Sequence, residues 1–257
     1  MTSKQFTEIA PFYDALMAGV PYRYWVDYVE EILQELDYHP RTVLDAACGT
    51  GNVSEILAGR GYEVTGVDIS LDMIQVAVAK EHGGSDVRYI VQDIAELSLG
   101  RTFDLILSLF DSLNYMVEPE RLQAAIERVA DHLVPGGIFI FDVNTEYALA
   151  HGYFNQTNIG SRAYPKYVWA SEYDKEARVC SITMVFEVLD GGSRRQFTEI
   201  HRQRAYSLEE LGLVLGKAEM ETLNTYHAYS FKKPGRRSDR VFFVARKRGP
   251  ETQQVCV

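Results

Sequence analysis

Two aspartates and a pair of glycines are the residues of this 257-residue chain whose types and spacing point most directly to chemistry. Asp45 lies just before Gly49 and Gly51, and Asp68 follows at the end of the next predicted strand. A glycine turn lets the main chain pass close to a ligand, and a carboxylate can accept two hydrogen bonds from a ribose diol. The pattern therefore predicts a nucleoside site at this turn.

The charge of Asp45 distinguishes between the two cofactor classes that use such a turn. A dinucleotide would place its pyrophosphate beside Asp45, and like charges a few Å apart repel by about 4 kcal/mol at an effective dielectric constant of 20. S-adenosylmethionine carries an ammonium and a sulfonium group, which Asp45 would attract. Ser54 also occupies the third glycine position of the dinucleotide pattern Gly-x-Gly-x-x-Gly that begins at Gly49. The sequence therefore favours a site for S-adenosylmethionine over a site for a dinucleotide. It also favours a ligand site over a glycine turn that only closes a strand–helix unit.

The sequence around this turn alternates between predicted strands and predicted helices. Hydrophobic spacing predicts two helices within residues 5–38 and then a series of strand–helix pairs. The strands cover residues 42–45, 62–68, 87–91, 103–108 and 138–143, and the helices cover residues 52–59, 70–80 and 119–132. Such pairs form parallel strands with right-handed crossovers, so we predict an α/β fold with a doubly wound sheet. Ligands bind beyond the carboxyl ends of these strands.

The pattern changes at about residue 151. Residues 168–173, 178–189 and 195–206 predict three antiparallel strands, and alternation in the middle one predicts a single buried face. A helix capped by Ser207 follows. The final elements are two strands at residues 222–231 and 240–246.

These patterns divide the chain into a core and two additions. We expect an N-terminal helical cap in residues 1–40 and an α/β core in residues 41–150 and 207–248. The remaining residues, 151–206, are expected to form an antiparallel β insertion. We expect this insertion to cover the ligand edge of the core as a substrate lid.

Composition and charge argue against several classes of protein. The chain has 36 acidic and 26 basic side chains, and a net charge of −10 disfavours holding nucleic acid by bulk charge. The longest apolar run is too short to span a bilayer, and the first residues contain no apolar segment of a secretory signal. Cys48, Cys180 and Cys256 form no Cys-x-x-Cys pair, which argues against a disulfide framework or a zinc site. We expect a cytoplasmic monomer or homodimer that binds no metal, membrane or nucleic acid.

The motifs together resemble those of the class I S-adenosylmethionine-dependent methyltransferase family over nearly the whole chain. Residues 43–51 match the first motif, 64–68 the second, 92–94 the third, and 133–137 the turn before the fifth strand. Ala47 departs from the pattern, because many members have their first glycine there. The resemblance implies methyl transfer from S-adenosylmethionine and a Rossmann-like seven-stranded sheet with a reversed last strand.

The resemblance also implies a set of residues that bind the cofactor. Those for the methionine end and the ribose hydroxyls are Asp45, Ala47, Gly49 and Asp68. Those for the adenine are Ile69, Met73, Asp93, Ile94 and Leu109. The four apolar residues of the second group are equally well explained as core residues.

Aromatic residues near the start of the chain are candidates to lie over the donor. An electron-rich ring beside the sulfonium provides a cation–π attraction of roughly 0.5–2 kcal/mol and shields the reactive cation from water. We expect Tyr13, Tyr22 and Trp25 to contact the donor, and helix packing is the alternative for Trp25.

The acceptor side of the site is predicted from a second resemblance. Tyr-Asp near the start and Asp-Ser-Leu-Asn-Tyr at residues 111–115 resemble a small-molecule subgroup akin to aminosugar N-methyltransferases. Candidate substrate residues are Asn114, Tyr115, Glu199, His201 and Gln203, of which the last three alternate on one strand face. Candidate catalytic residues are His201 as a base near neutral pH, Asp111 and Tyr13. The alternative interpretation of His201 is a half-exposed histidine on a strand with no catalytic role, and the sequence favours this alternative.

We expect a small-molecule acceptor that is methylated at nitrogen rather than oxygen. Residues 108–111 read Ser-Leu-Phe-Asp, not the Asn/Asp-Pro-Pro-Tyr that accompanies adenine N-methylation in DNA. A methyltransferase that modifies tRNA or protein is an alternative, supported by the terminal basic residues Arg236, Arg237, Arg240, Arg246, Lys247 and Arg248. A non-catalytic nucleoside-binding protein is a further alternative, because fold does not fix function.

Overall fold

Two β-sheets carry the fold in the computed structural model, which describes residues 5–80 and 86–249. The strands are β1 Thr42–Ala46, β2 Glu63–Asp68, β3 Arg88–Val91, β4 Phe103–Ser108, β5 Leu133–Asn144, β6 Gln156–Thr157, β7 Lys166–Asp174, β8 Val179–Asp190, β9 Ser193–Arg204, β10 Met220–His227 and β11 Arg240–Lys247. The α-helices are α1 Tyr13–Leu16, α2 Tyr22–Glu35, α3 Asn52–Gly59, α4 Leu71–Ala79, α5 Pro119–Asp131, α6 Glu146–Ala150 and α7 Leu208–Lys217.

The larger sheet has seven strands in the order β10-β11-β5-β4-β1-β2-β3. Strands β1 to β5 run parallel to one another, whereas β11 is antiparallel to both of its neighbours, β5 and β10. In this order β1 and β4 are neighbours in the sheet, although β2 and β3 lie between them in the sequence. The predicted doubly wound seven-stranded sheet with a reversed last strand is therefore confirmed.

The smaller sheet is antiparallel and has the order β6-β7-β8-β9. Its three long strands were predicted, and its short strand β6 was not, because two residues give no periodic signal. Alternate residues of β8 are buried, as the sequence predicted; they are Cys180, Ile182, Met184, Phe186 and Val188. They form a hydrophobic cluster with Ile9 and Leu149, so segments before and after the parallel strands pack on this sheet.

Helices cover both faces of the larger sheet. Leu105 and Leu107 of β4 point to the face that Val26 of α2 covers, whereas Ile106 points to the face that Ile126 of α5 covers. This alternation explains why β4 is an almost continuous apolar run, as is typical of a parallel strand that is buried on both faces. No helix within residues 5–80 and 86–249 is long and apolar enough to cross a membrane.

Several predicted boundaries differ from the structure for local reasons. Residues 133–137 belong to β5 rather than to a preceding turn, because Leu133 already pairs with Phe103 of β4 before the register shifts. The strand predicted at residues 222–231 ends at His227, after which Tyr229 adopts a positive φ. The first predicted N-terminal helix is a 3-10 turn at Ala10–Phe12 followed by one α-helical turn.

A buried carboxylate on β5 holds the turn that follows β4. Phe110 and Asp111 are consecutive residues with positive φ angles of 64° and 50°, a conformation that costs side chains other than glycine about 1–2 kcal/mol each. Asp142 accepts hydrogen bonds from their main-chain N–H groups at 2.7 and 3.0 Å. Its carboxylate also pairs with the guanidinium of Arg240 on β11. The conformation after β4 therefore depends on residues that are far away in the sequence.

We expect Asp142→Asn to lower the free energy of unfolding by about 3–5 kcal/mol, because it breaks a buried ion pair and turns an amide group toward main-chain donors. Asp131→Asn is the matched control, since Asp131 forms an exposed pair with Arg128 and should change stability by less than about 1 kcal/mol. Urea denaturation at neutral pH measures both. Equal shifts of the two midpoints would contradict the role of Asp142.

Candidate functional site

The glycine turn lies at the carboxyl ends of β1 and β2. Ala47 and Cys48 both donate main-chain hydrogen bonds to the carbonyl of Val67, at 2.7 and 3.0 Å. Gly51 has a φ of 81°, and a Cβ atom there would lie 2.2 Å from the hydroxyl oxygen of Tyr89. Glycine is therefore required at Gly51 both by the backbone conformation and by the neighbouring ring.

Asp68 lies beside the turn with a fixed orientation. Its two carboxylate oxygens accept hydrogen bonds from the main-chain N–H groups of Gly49 and Ser70, both at 2.8 Å. Burial raises the pKa of Asp68, and these N–H groups oppose the rise. Each oxygen keeps a further lone pair, so the carboxylate can still accept two hydrogen bonds.

Asp45 is 2% exposed and is held by Ser54, whose hydroxyl donates to it at 2.6 Å. Burial, together with the charge of Asp68, raises the pKa of Asp45 to about 6. Ser54 therefore has a role where a dinucleotide site has its third glycine. Two carboxylates at this turn favour a cationic ligand over an anionic one.

The other residues expected at the cofactor have different surroundings. Ile69 is 66% exposed, whereas Met73, Ile94 and Leu109 are buried. Asp93 accepts a hydrogen bond from the N–H of Ala95 and pairs with Arg121 at 2.6 Å. Ile69 is therefore the apolar residue of this set with a free surface for a flat ring.

Residues 5–16 cross the open ends of the parallel strands, and we call them the N-terminal strap. Asp14 attaches the strap to the glycine turn, since it accepts hydrogen bonds from Thr50 at 2.6 Å and Asn52 at 2.9 Å and pairs with Lys80 at 2.8 Å. Phe6 accepts a further hydrogen bond through its carbonyl, from the hydroxyl of Ser70 at 3.1 Å.

Tyr13 lies in the strap next to Asp14, near groups of both β2 and the segment after β4. Burial raises its pKa well above the ordinary value, and nearby Tyr22, Tyr115, Asp111 and Asp68 raise it further. These neighbours include Asp68 at the end of β2 and Asp111 after β4. The ring of Tyr13 is therefore near both the predicted cofactor side and the predicted acceptor side.

Tyr22 and Trp25 pack against the turn after β4. Their ring centroids lie 5.1 and 3.9 Å from that of Phe110, and the guanidinium of Arg240 lies 5.5 Å from the Trp25 ring. The contacts of Trp25 are therefore with the turn after β4 and with β11. Phe110 itself was not predicted as a site residue.

Glu199, His201 and Gln203 share one face of β9, and all three are buried. His201 is 1% exposed, so the preferred expectation of a half-exposed strand histidine is wrong; the strap covers it, and the ring of Phe6 lies 4.6 Å away. His201 Nδ1 lies 3.0 Å from the hydroxyl of Tyr115, and Nε2 lies 3.0 Å from Glu199.

Glu199 is the second attachment of the strap. Its carboxylate accepts hydrogen bonds from the main-chain N–H groups of Phe6, Glu8 and Ile9, at 3.0, 3.0 and 3.2 Å. These bonds and His201 occupy the carboxylate. Glu199 therefore joins the strap to the smaller sheet and offers little to a substrate.

Asn114 and Gln203 are also engaged within the protein. Asn114 donates both amide hydrogens to main-chain carbonyls, those of Asn144 and Arg204. Gln203 donates to Asp111 at 2.5 Å and accepts from Asn144 at 3.0 Å. Both side chains join the smaller sheet to the segment after β4 and to the end of β5. They are therefore not proposed as substrate contacts.

Asp111, Asp142 and Arg240 form an ion network beneath the acceptor side. The sequence predicts Arg240 only as part of a basic cluster and predicts no role for Asp142. The one available signal was that Asp142 lies near the carboxyl end of a predicted core strand. Arg240 is separated from Asp142 by 98 residues and from Asp111 by 129, so no local pattern could have identified these pairs.

Two of the three cysteines lie in the part of the chain that the structure describes. Cys48 and Cys180 are buried free thiols, and Cys256 lies outside the described residues. Within residues 5–80 and 86–249, no group of three or more His, Cys, Asp or Glu side chains is arranged to hold a metal ion.

Ala47 has a φ of 70° at the position where many methyltransferases have glycine. We expect Ala47→Gly to raise the free energy of unfolding by about 0.5–1 kcal/mol, because relief of the left-handed conformation exceeds the added entropy of the unfolded chain. Ala46→Gly is the control, since it replaces a strand residue and should destabilise the protein. Thermal unfolding that ranked both variants below the wild type would contradict this expectation.

Known proteins share this fold and these motifs. A family model described as "Methyltransferase domain" matches residues 43–137. The chain is 30% identical to "Putative methyltransferase YqeM" of Bacillus subtilis, over 93% of this chain and 95% of that one. It is 32% identical to the crystal structure of a S-adenosylmethionine-dependent methyltransferase from Clostridium acetobutylicum, with a TM-score of 0.83 over 95% of this chain and 98% of that one.

A third relative has a named substrate. The chain is 31% identical to the dTDP-3-amino-3,6-dideoxy-alpha-D-glucopyranose N,N-dimethyltransferase of Streptomyces fradiae, over 52% of each chain. This similarity covers about half of each protein, whereas the two matches above extend over nearly the whole chain. The glycine turn, the two aspartates beside it and these full-length similarities agree: the chain belongs to the S-adenosylmethionine-dependent methyltransferase family.

Proposed function

We propose that this methyltransferase transfers the methyl group of S-adenosylmethionine to an amino nitrogen of a small molecule. The observation that carries the proposal is that the strap and the smaller sheet cover the carboxyl ends of β1 and β4. Tyr13 lies there near both Asp68 and Asp111, and the half-buried Tyr115 and the buried His201 are close by. Such an enclosure suits a small acceptor better than a macromolecule. The partial similarity to an aminosugar N,N-dimethyltransferase supports nitrogen as the methylated atom.

The chain's residues fit the charge and shape of the cofactor. In this proposal Asp68 accepts hydrogen bonds from the ribose hydroxyls, and Asp45, with the main chain of Ala47 and Gly49, faces the methionine end. Ile69 offers an exposed surface to the adenine. The remaining cofactor residues, each with the role expected from the sequence, are Met73, Asp93, Ile94, Leu109, Tyr22 and Trp25.

Alignment is the main contribution that the protein makes to this reaction. S-adenosylmethionine, when bound, supplies an electrophilic methyl group with a neutral thioether as leaving group. The protein must therefore hold the nucleophile in line and exclude water. Tyr13 is in the position to shield the sulfonium, and the ion network of Asp111, Asp142 and Arg240 fixes the turn on which the acceptor would lie.

We do not propose an RNA or protein acceptor. Arg240, one of the basic residues that supported this alternative, is paired with Asp111 and Asp142 at the end of β11. It is therefore not available to a phosphate backbone.

The proposed acceptor class can be tested with labelled S-adenosylmethionine and a bacterial cell extract divided by ultrafiltration. We expect label to enter the low-mass filtrate, because the site is enclosed, and the macromolecular fraction to stay unlabelled. Acetylating the filtrate beforehand blocks primary and secondary amines, and it should abolish the transfer. Label in the macromolecular fraction, or transfer that survives acetylation, would contradict the proposal.

Asp68→Asn should weaken S-adenosylmethionine binding about 100-fold, because a charged acceptor of two ribose hydrogen bonds becomes a neutral one, at a cost of about 2–3 kcal/mol. Calorimetric titration measures the affinity. Asp72→Asn, a carboxylate in the first turn of α4, is the control and should bind as the wild type does. The same affinity in the wild type and both variants would contradict the role of Asp68 in binding the ribose hydroxyls.

Cofactor affinity should also depend on the charge of Asp45. Its pKa in the free protein is raised to about 6, so the carboxylate is charged at pH 7.5 and largely protonated at pH 5. We therefore expect S-adenosylmethionine to bind about tenfold more weakly at pH 5 than at pH 7.5, since attraction to the cation is lost as pH falls. Asp45→Asn should bind weakly at both pH values. An equally steep pH dependence in that variant would show that another group is responsible.

A further inference from the structure

We propose that Tyr115, His201 and Glu199 form a proton relay that deprotonates the acceptor amine, with Tyr115 as the group that contacts it. The inference rests on the proposed function, because it requires an amine as nucleophile. Aliphatic amines are mostly protonated near neutral pH and have no lone pair to attack with in that form. A base within the site therefore has a defined task.

The hydrogen bonds fix the direction in which the relay can operate. His201 Nε2 lies 3.0 Å from the Glu199 carboxylate, which can only accept, so this nitrogen carries a hydrogen in the neutral ring. Nδ1 is then an acceptor, and it lies 3.0 Å from the hydroxyl of Tyr115. The phenol proton thus points at a basic nitrogen, while the phenol oxygen, near which the Gln203 amide also lies, has a second lone pair for another donor.

The inner part of the relay is sealed from water. His201 and Glu199 are both buried, and the ring of Phe6 contacts His201 edge-on at 4.6 Å and Tyr115 at 5.4 Å. The hydrogen bonds from Phe6, Glu8 and Ile9 to Glu199 require the strap to be in place. The relay is therefore complete only when the strap covers the site.

The titratable groups around His201 are consistent with this role. On β9 the neighbour is Glu199, and on the segment after β4 the neighbours are Tyr115 and, beyond it, Asp111. From the strap, Tyr13 approaches Tyr115.

On β8 the residue opposite His201 is the apolar Ile182, flanked by Met184 opposite Glu199 and by Cys180 opposite Gln203. Charged Glu199 is therefore the group placed to stabilise an imidazolium.

Tyr115 is the accessible end of the chain of hydrogen bonds. It is half-buried, and its hydroxyl is near that of Tyr13, on the side where Asp68 and Asp111 also act. Burial, with the charges of Asp111 and Glu199, raises the pKa of Tyr115. The phenol therefore keeps its proton near neutral pH and acts by passing one proton on as it receives another.

The step is balanced in atoms and charge. An N–H bond of the acceptor ammonium breaks as its proton moves to the Tyr115 oxygen, and the original phenol O–H bond breaks as that proton moves to His201 Nδ1. The products are a neutral amine, a neutral phenol and an imidazolium paired with Glu199. After the methylated product leaves, the reverse transfer through Tyr115 returns the proton to water. Glu199 acts through His201 and is a positioning residue.

Tyr115→Phe tests the relay because it removes the phenol oxygen and retains the ring. With labelled S-adenosylmethionine as donor and the low-mass filtrate as acceptor, we expect turnover at pH 7 to fall about 100-fold, which is the lower end of the range for a general base. The loss should shrink about tenfold for each pH unit up to pH 9, because more of the amine arrives already deprotonated. His201→Gln should show the same pH-dependent recovery. Calorimetric affinity for S-adenosylmethionine should change less than twofold in both variants.

Tyr173→Phe is the matched control, because the hydroxyl of Tyr173 on β7 bonds to Glu146 outside the site, and its pH profile should follow the wild type. A turnover loss in Tyr115→Phe that is the same at pH 7 and pH 9 would overturn the relay and indicate a structural role, as would no loss at all. Failure of the proposed function looks different, since the wild type itself would then leave the amines of the filtrate unlabelled.

Discussion

The structure depends on burying carboxylates at the open ends of parallel strands. A carboxylate removed from water is unstable unless hydrogen bonds or a counter-charge replace its hydration. Main-chain N–H groups supply these bonds to Asp68, Asp142 and Glu199. Asp142 also has Arg240, whereas the ion pairs formed within residues 5–80 and 86–249 do not include Asp45 or Asp68. The negative potential that remains at the glycine turn is what makes this end of the sheet suitable for a sulfonium compound.

The N-terminal strap is the element that covers the open end of the larger sheet beside the glycine turn. Asp14 attaches it to the glycine turn, and Glu199 attaches it to the smaller sheet. Tyr13 lies between these two attachments, near both halves of the site. One short segment therefore joins the glycine turn to the proposed acceptor side, and a change at either attachment would alter the surroundings of the other.

The sequence predicted the sheet well because its signals are local. Strand alternation, the caps at Ser70 and Ser207 and the glycine turn each depend on residues close together in the chain, and the structure contains all of them. The burial of His201 was missed because the strap that covers it comes from the other end of the chain. The pairing of Arg240 with Asp142 was missed for the same reason. Hydrogen bonds from a distant stretch of main chain to a side chain, as at Glu199, leave no local pattern in the sequence.

The way in which the strap is fastened has a consequence for variation within such enzymes. Phe6, Glu8 and Ile9 contribute only their peptide N–H groups to Glu199, so the side chains at these positions are not needed for the attachment. Any residue other than proline has the N–H group for this bond, and at Phe6 the residue must also adopt a φ of 57°. Position 8 is therefore the exchangeable part of the cover, since the side chain of Glu8 pairs with the half-exposed Arg195, whereas the ring of Phe6 lies against His201 and Ile9 is buried on the smaller sheet. A different residue there would change the outer surface of the cover and leave the strap attached to Glu199.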